Sequence, residues 1–247
     1  MSGDDDAPTR SVLRRLWWLW VPVGILLLGV LGYASTRSTL LDVDRIEVEG
    51  AGIRVTERTV REVAAIEVGQ ALLDLDLGAI DGRLTALPWV AEATVRRKWS
   101  GTVYLRILER TAVVVAVDPV GAQVLLDAVG AVLETVDPAS ASDPDLPHIR
   151  VDGFGPPGSR VSGVGPLLRA AEAVPPDLGA WIVALVPTGD GIRAELVGGA
   201  VAEFGISDDY REQVRALATV LTKVVLTCLR EVDVSIPANP VVRRGAC

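Results

Sequence analysis

His148 is the only histidine in the chain, and it follows Leu146-Pro147 with no serine or cysteine nucleophile in a recognisable motif. Nucleophilic catalysis needs a nucleophile, a base and an orienting group in one constellation, so this residue reads as a surface histidine in a loop. Gly153-Phe154-Gly155-Pro156-Pro157-Gly158 has the GxGxxG spacing of a phosphate loop. Its two prolines remove N–H donors that a phosphate would need, and no long helix starts behind it, so it reads as a plain loop. Cys228 and Cys247 lie far from any zinc-like spacing. They can pair in an oxidising space, but Cys247 is the last residue and Cys228 falls among apolar residues at the end of a predicted helix. A buried free thiol is the expected state there. Carboxylates are plentiful without forming a distinctive pair, and Asp4–Asp6 reads as part of a solvated tail. The residues therefore offer no catalytic, cofactor-binding or metal constellation. The reading is a non-enzymatic protein with no cofactor and no small-molecule substrate.

What remains is a question of elements. The 247 residues are 49% hydrophobic, enough for packed cores, with a formal net charge of −8. Asp4, Asp5 and Asp6 balance Arg10, Arg14 and Arg15 in the first fifteen residues, so all the excess acid lies after residue 35. An acidic bulk argues against nucleic acid or anionic lipid as the main partner.

Leu16 to Ala34 contains no charged residue. As a helix it spans about 28 Å, close to the hydrocarbon thickness of a bilayer. Trp17, Trp18 and Trp20 cluster at one end and Tyr33 sits at the other, as interfacial aromatics do. Arg10, Arg14 and Arg15 precede the run while Arg37 alone follows closely, which keeps the N-terminus in the cytoplasm. Gly32 and Ala34 have the small-x-small spacing of a signal-peptidase site, but the apolar run is longer than a signal peptide's core. The expectation is residues 1–15 as a cytoplasmic tail, an uncleaved transmembrane helix over 16–34, and the bulk outside.

Residues 42–110 read as strand, helix, helix, strand, strand. Val43, Ile46 and Val48 form the first strand, closed by Gly50-Ala51-Gly52. Thr56 caps a helix with Val60, Val63 and Ala64 on one face, ended by Gly69. Asp76 caps a second, with Leu77, Ile80, Leu84 and Leu87 at helical steps until Pro88. The next strand alternates Ala91, Ala93, Val95 and Trp99 against polar residues, with Arg97 breaking its apolar face. Ser100-Gly101 turns into a last strand lined by Val103, Leu105 and Ile107. Trp89 and Trp99 are expected to pack in the core or the hairpin.

Residues 111–242 read as short strands at Thr111–Val117, Gln123–Leu126, Ala131–Thr135, Trp181–Val186, Ile192–Val197 and Ala200–Phe204, with a short helix at Val164–Val174. Ser207 caps a longer helix carrying Tyr210, Val214, Leu217 and Leu221. The last element expected is a strand, Glu231–Ile236, stopped by Pro237 and Pro240, with 243–247 a C-terminal tail.

These motifs resemble the FtsQ/DivIB family of bacterial cell-division proteins. The first outer domain is similar to its POTRA domain through Val43-x-x-Ile46-x-Val48-x-Gly50, Leu87-Pro88-Trp89-Val90, Val95-Arg96-Arg97-x-Trp99 and Glu109-Arg110. Leu126-Asp127-x-x-Gly130, Leu146-Pro147, Phe204-Gly205 and Val232-Asp233-Val234-Ser235 resemble the β-domain that follows. The family usually has prolines where Ser100 and Thr111 stand, more often a lysine at Arg211, and an arginine at Ser235. The resemblance implies an α+β protein: a transmembrane helix, a POTRA domain (β-α-α-β-β), then a mixed or antiparallel β-domain with flanking helices. It also implies a non-catalytic scaffold at the division septum of the cell membrane. Its partners would be FtsB/DivIC-like and FtsL-like proteins and, indirectly, the septal peptidoglycan synthase. An alternative use of POTRA is protein export or outer-membrane assembly, but neither tandem repeats nor barrel strands are seen. The partner site is expected on the last strand, at Val232, Asp233, Val234, Ser235 and Ile236. Strict alternation and a terminal position suit a sheet edge that accepts a partner strand, and the resemblance places FtsB binding in this part of the domain.

Overall fold

The computed structural model describes residues 21–30, 42–137, 146–224 and 228–245. Residues 21–30 are helical (α1) and exposed almost throughout. The rest of the expected span, including its ends Leu16 and Ala34, lies outside the described residues, and no described helix is long and apolar enough to cross a membrane.

The remaining residues form two compact units. One takes in the chain up to Leu84 and returns for Ala93–Ile107; the other is Thr85–Glu92 with Leu108 onward.

The first unit follows the expected β-α-α-β-β order. Its elements are β1 (Arg45–Glu49), α2 (Glu57–Ala64), α3 (Leu77–Thr85), β2 (Val90–Lys98) and β3 (Thr102–Glu109), the last two strands reaching into the second unit. The sheet order is β1-β3-β2, with β1 parallel to β3 from Arg45↔Thr102 to Glu49↔Arg106. Ile46, Val60, Ile80, Leu84, Val103, Leu105 and Ile107 are buried. Both predicted N-caps form: Thr56 Oγ1 accepts from the Thr59 N–H at 3.2 Å, and Asp76 Oδ1 from the Ala79 N–H at 3.0 Å. Helix α2 ends earlier than Gly69, because Ala65 itself takes the left-handed conformation (φ 49°). Arg83 stabilises that end by donating to the carbonyls of Val63 (3.1 Å) and Ala64 (2.6 Å).

The second unit is built on a nine-stranded mixed sheet in the order β12-β11-β10-β9-β8-β7-β4-β5-β6. Its strands are β4 (Ala112–Val117), β5 (Gln123–Asp127), β6 (Val132–Val136), β7 (His148–Arg150), β8 (Ile182–Thr188), β9 (Gly191–Leu196), β10 (Val201–Gly205), β11 (Leu229–Asp233) and β12 (Val241–Arg244). Helices α4 (Gly165–Ala173), α5 (Pro176–Gly179) and α6 (Arg211–Leu221) complete it. The main core joins Ile149, Leu185, Ala194, Ala202, Phe204 and Val232 of the sheet to Leu167 of α4 and to Val214 and Leu217 of α6. A smaller core gathers Val115, Leu125 and Leu133, with Trp89 and Leu146 packed against them.

Three local expectations change. Helix α6 begins at Arg211, not behind Ser207: Ser207 Oγ and the Asp209 N–H bond at 3.2 Å, and Asp209 Oδ1 then accepts the Arg211 N–H at 3.0 Å. Tyr210 in this turn is buried at 1% exposure beside Phe204, which pins the entry to the helix. His148 opens strand β7 and is half-buried, where burial pushes its imidazole below the ordinary histidine range; it is not a loop residue. Cys228 is disulfide-bonded rather than free, and the sequence holds one other cysteine, Cys247, which lies outside the described residues.

Candidate interaction edge

The strand expected to form the partner edge is an interior strand. Val232 and Asp233 belong to β11, which pairs in parallel with β10 (Ala202↔Val232, Glu203↔Asp233) and antiparallel with β12 (Val232↔Val242, Asp233↔Val241). The Val234 N–H still donates to the Glu203 carbonyl at 2.9 Å, and its side chain is fully buried. Ser235 and Ile236 have left the sheet: the Ser235 N–H (2.9 Å) and hydroxyl (2.6 Å) both donate to Asp233 Oδ1. These two bonds from Ser235 hold the Asp233 carboxyl below the usual carboxylate range. Ile236 is exposed at the turn.

The chain then runs through Pro237 and Pro240 and returns as β12, the terminal strand in the sheet order. This strand takes in Arg243 and Arg244, which the sequence reading assigned to the C-terminal tail. Val242 packs against the main core, while Val241, Arg243 and Arg244 are exposed. Arg243 is held over the strand pair by Glu231, with Nη1–Oε1 2.9 Å. The Gly245 N–H donates to the Cys228 carbonyl at 2.9 Å, extending the pairing past the strand. In an antiparallel pair alternate backbone groups point away from the partner strand. Along β12 these groups face no further strand among the described residues. Beside the start of β12, a cleft of about 430 Å³ lies between Arg215, Ala216, Thr219 and Val220 of α6 and the segment containing Pro237, Ala238 and Pro240.

Sequence reasoning missed β12 because four residues with two valines followed by two arginines, between a proline and a glycine, carry no alternation to detect. Its one signal was two prolines three residues apart, which mark a turn capable of reversing the chain.

The motifs behind the family resemblance meet at a second place in the same unit. Arg110 Nη1 lies 2.5 Å from Asp127 Oδ2, and Arg110 Nε donates to the Val90 carbonyl at 3.1 Å. The other Asp127 oxygen accepts the N–H groups of Val129 (3.0 Å) and Ala131 (2.8 Å), which forms the turn ending at Gly130. Gly130 has φ 78°, and a Cβ there would come within 2.9 Å of Val164 Cγ2. Trp89 Nε1 donates to Glu134 Oε2 at 3.2 Å. The Pro-Trp-Val, Glu-Arg and Asp-x-x-Gly motifs therefore form one structural node. Among the described residues no group of three or more His, Cys, Asp or Glu could hold a metal.

The first unit is a POTRA domain: residues 41–110 match the POTRA domain of FtsQ type. Over nearly the whole chain the protein is similar to curated relatives. The cell division protein FtsQ of Mycolicibacterium smegmatis is 31% identical across 96% of this chain and 69% of its own length. That of Streptomyces collinus is 34% identical across 94% and 90%, and that of Streptomyces venezuelae 28% identical across 96% and 90%. The chain belongs to the FtsQ family of cell-division proteins.

Proposed function

We propose that this protein is a non-catalytic, single-pass scaffold of the bacterial division septum. Leu16–Ala34 holds it in the cell membrane, with the N-terminus in the cytoplasm and both folded units outside. It binds FtsB/DivIC-like and FtsL-like proteins and through them controls septal peptidoglycan synthesis. Family membership supports the division role. The anchor is supported by the described helical residues, where Leu26 and Leu28 are 69% and 73% exposed, as lipid-facing side chains must be.

The observation that carries the scaffold reading is the open side of β12. A terminal strand with exposed backbone groups binds a partner by strand addition. The partner site accordingly moves from Val232–Ile236 to Val241–Arg244. Depletion of the protein should produce filaments without completed septa. A chain ending at Pro240 should fail to restore division while Cys247→Ser restores it. Restoration by the chain ending at Pro240 would refute a role for this edge.

A further inference from the structure

One end of the POTRA unit exposes three large apolar side chains: Trp99 (61%), Val68 (70%) and Leu73 (41%). Hydrogen bonds bring their segments together. Val43 donates to the Gln70 carbonyl and Gly69 to the Val43 carbonyl, both at 2.8 Å. Asp44 and Arg45 donate to the Gly101 carbonyl at 2.7 and 3.1 Å, which presses the tip of the β2–β3 hairpin onto the start of β1. Gly101 has φ +82°, and a Cβ there would run into Asp44 Oδ2 and the Asp42 carbonyl, so the approach depends on glycine. Arg97 Nη1 donates to the Leu72 carbonyl at 2.7 Å, while its guanidinium lies 5.5 Å from the Trp99 ring centroid.

This is also the end at which the chain enters the domain. Asp42 is eight residues after Ala34, a reach of at most about 28 Å. Resting on the reading of Leu16–Ala34 as an anchor, we propose that the pole formed by Trp99, Leu73 and Val68 sits in the boundary between headgroups and acyl chains of the membrane that holds the chain. An indole with an apolar body and a polar N–H suits that layer, and a short tether keeps the pole at high effective concentration beside it. Asp42, Asp44, Glu67 and Asp74 at the same end outnumber Arg45, Arg97 and Lys98 by one, so no net positive charge draws this end to lipid headgroups. The contact is therefore apolar and insensitive to salt. Because β1 starts at this pole, the contact fixes the tilt of the POTRA domain to the bilayer.

The test uses the full chain, its native disulfide intact, in phosphatidylcholine nanodiscs containing lipids with a nitroxide near the headgroup. A fluorophore is attached to Leu73→Cys or, as control, to Ile53→Cys, which is 94% exposed beyond the far end of β1. The label at position 73 should be quenched at least twofold more than the label at 53. That excess should survive high salt and fall to the control level with Trp99→Ser. Equal quenching at 73 and 53 in a chain that stays with the nanodisc overturns the membrane contact and leaves the anchor reading standing. Excess quenching that Trp99→Ser leaves unchanged removes Trp99 from the contact and overturns the proposed pole, while the Leu16–Ala34 anchor stands. A chain that does not stay with the nanodisc overturns both this proposal and the anchor reading.

Discussion

Arg110 and Asp127 show how single residues keep the second unit in register. The arginine reaches both the start of β2 and the turn between β5 and β6, and the Asp127 carboxylate satisfies that turn's N–H groups as well as the guanidinium. At 8% side-chain exposure Asp127 has little access to water. Replacing it by alanine leaves two N–H groups unpaired and the Arg110 guanidinium without its counter-ion, and should destabilise the protein by about 3 kcal/mol in denaturant unfolding. Trp89 is only half-buried and bonded to Glu134, so Trp89→Ala should cost about 2 kcal/mol, below the usual range for a fully buried tryptophan. His148 gives a pH signal. Burial lowers its folded pKa below 6.5, so the unfolded chain binds the proton more readily. The stability associated with the neutral ring is complete above the unfolded value and is lost as pH falls through the folded one. As the chain's one histidine, it should show a ring-proton NMR titration midpoint below 6.5 in the native protein. His148→Gln should flatten the dependence of melting temperature on pH in that window.

At the scale of elements, the edge of the large sheet is the decisive feature. Val234→Pro removes the N–H that bonds Glu203 within the sheet, so it should lower the melting temperature of the second unit as well as any partner affinity. Substitutions on β12 are the cleaner probe of binding. Losing the disulfide through Cys228→Ser should cost roughly 2–4 kcal/mol, the usual range for a disulfide, measured as a shift of the denaturant midpoint. Most elements could be read from sequence because their periods are strong. Val103, Leu105 and Ile107 alternate along β3, and Thr56 and Asp76 announce helix starts. Arg97 looked like a flaw in an apolar face, and its reason, a bond to the Leu72 carbonyl, is a tertiary contact between residues 25 positions apart. Trp99 was expected to pack but is largely exposed, since alternation assigns a face and cannot show that the face ends at a hairpin tip. The reading of Val232–Ile236 as the edge was wrong for a similar reason. Alternation located a strand but set it too late, since β11 runs Leu229–Asp233 rather than Glu231–Ile236, and β12, which covers it, has too few residues to show a period.

For the whole molecule, a POTRA unit and a sheet whose outermost described strand is open follow the proposed membrane span. A reporter active only outside the cytoplasm should work when fused after Arg110 and fail when fused after Arg10. A mature N-terminus near Ser35 would contradict the anchor. The central claim concerns β12, and amide hydrogen exchange tests it most directly. The full chain in a bilayer would be compared alone and with an FtsB-type protein, the proposed partner. The account predicts that amides within Val241–Arg244 exchange rapidly in the free protein and become protected in the complex, while those of β11 are slow in both. Protection confined to other segments, with β12 unchanged in the complex, would contradict strand addition at this edge.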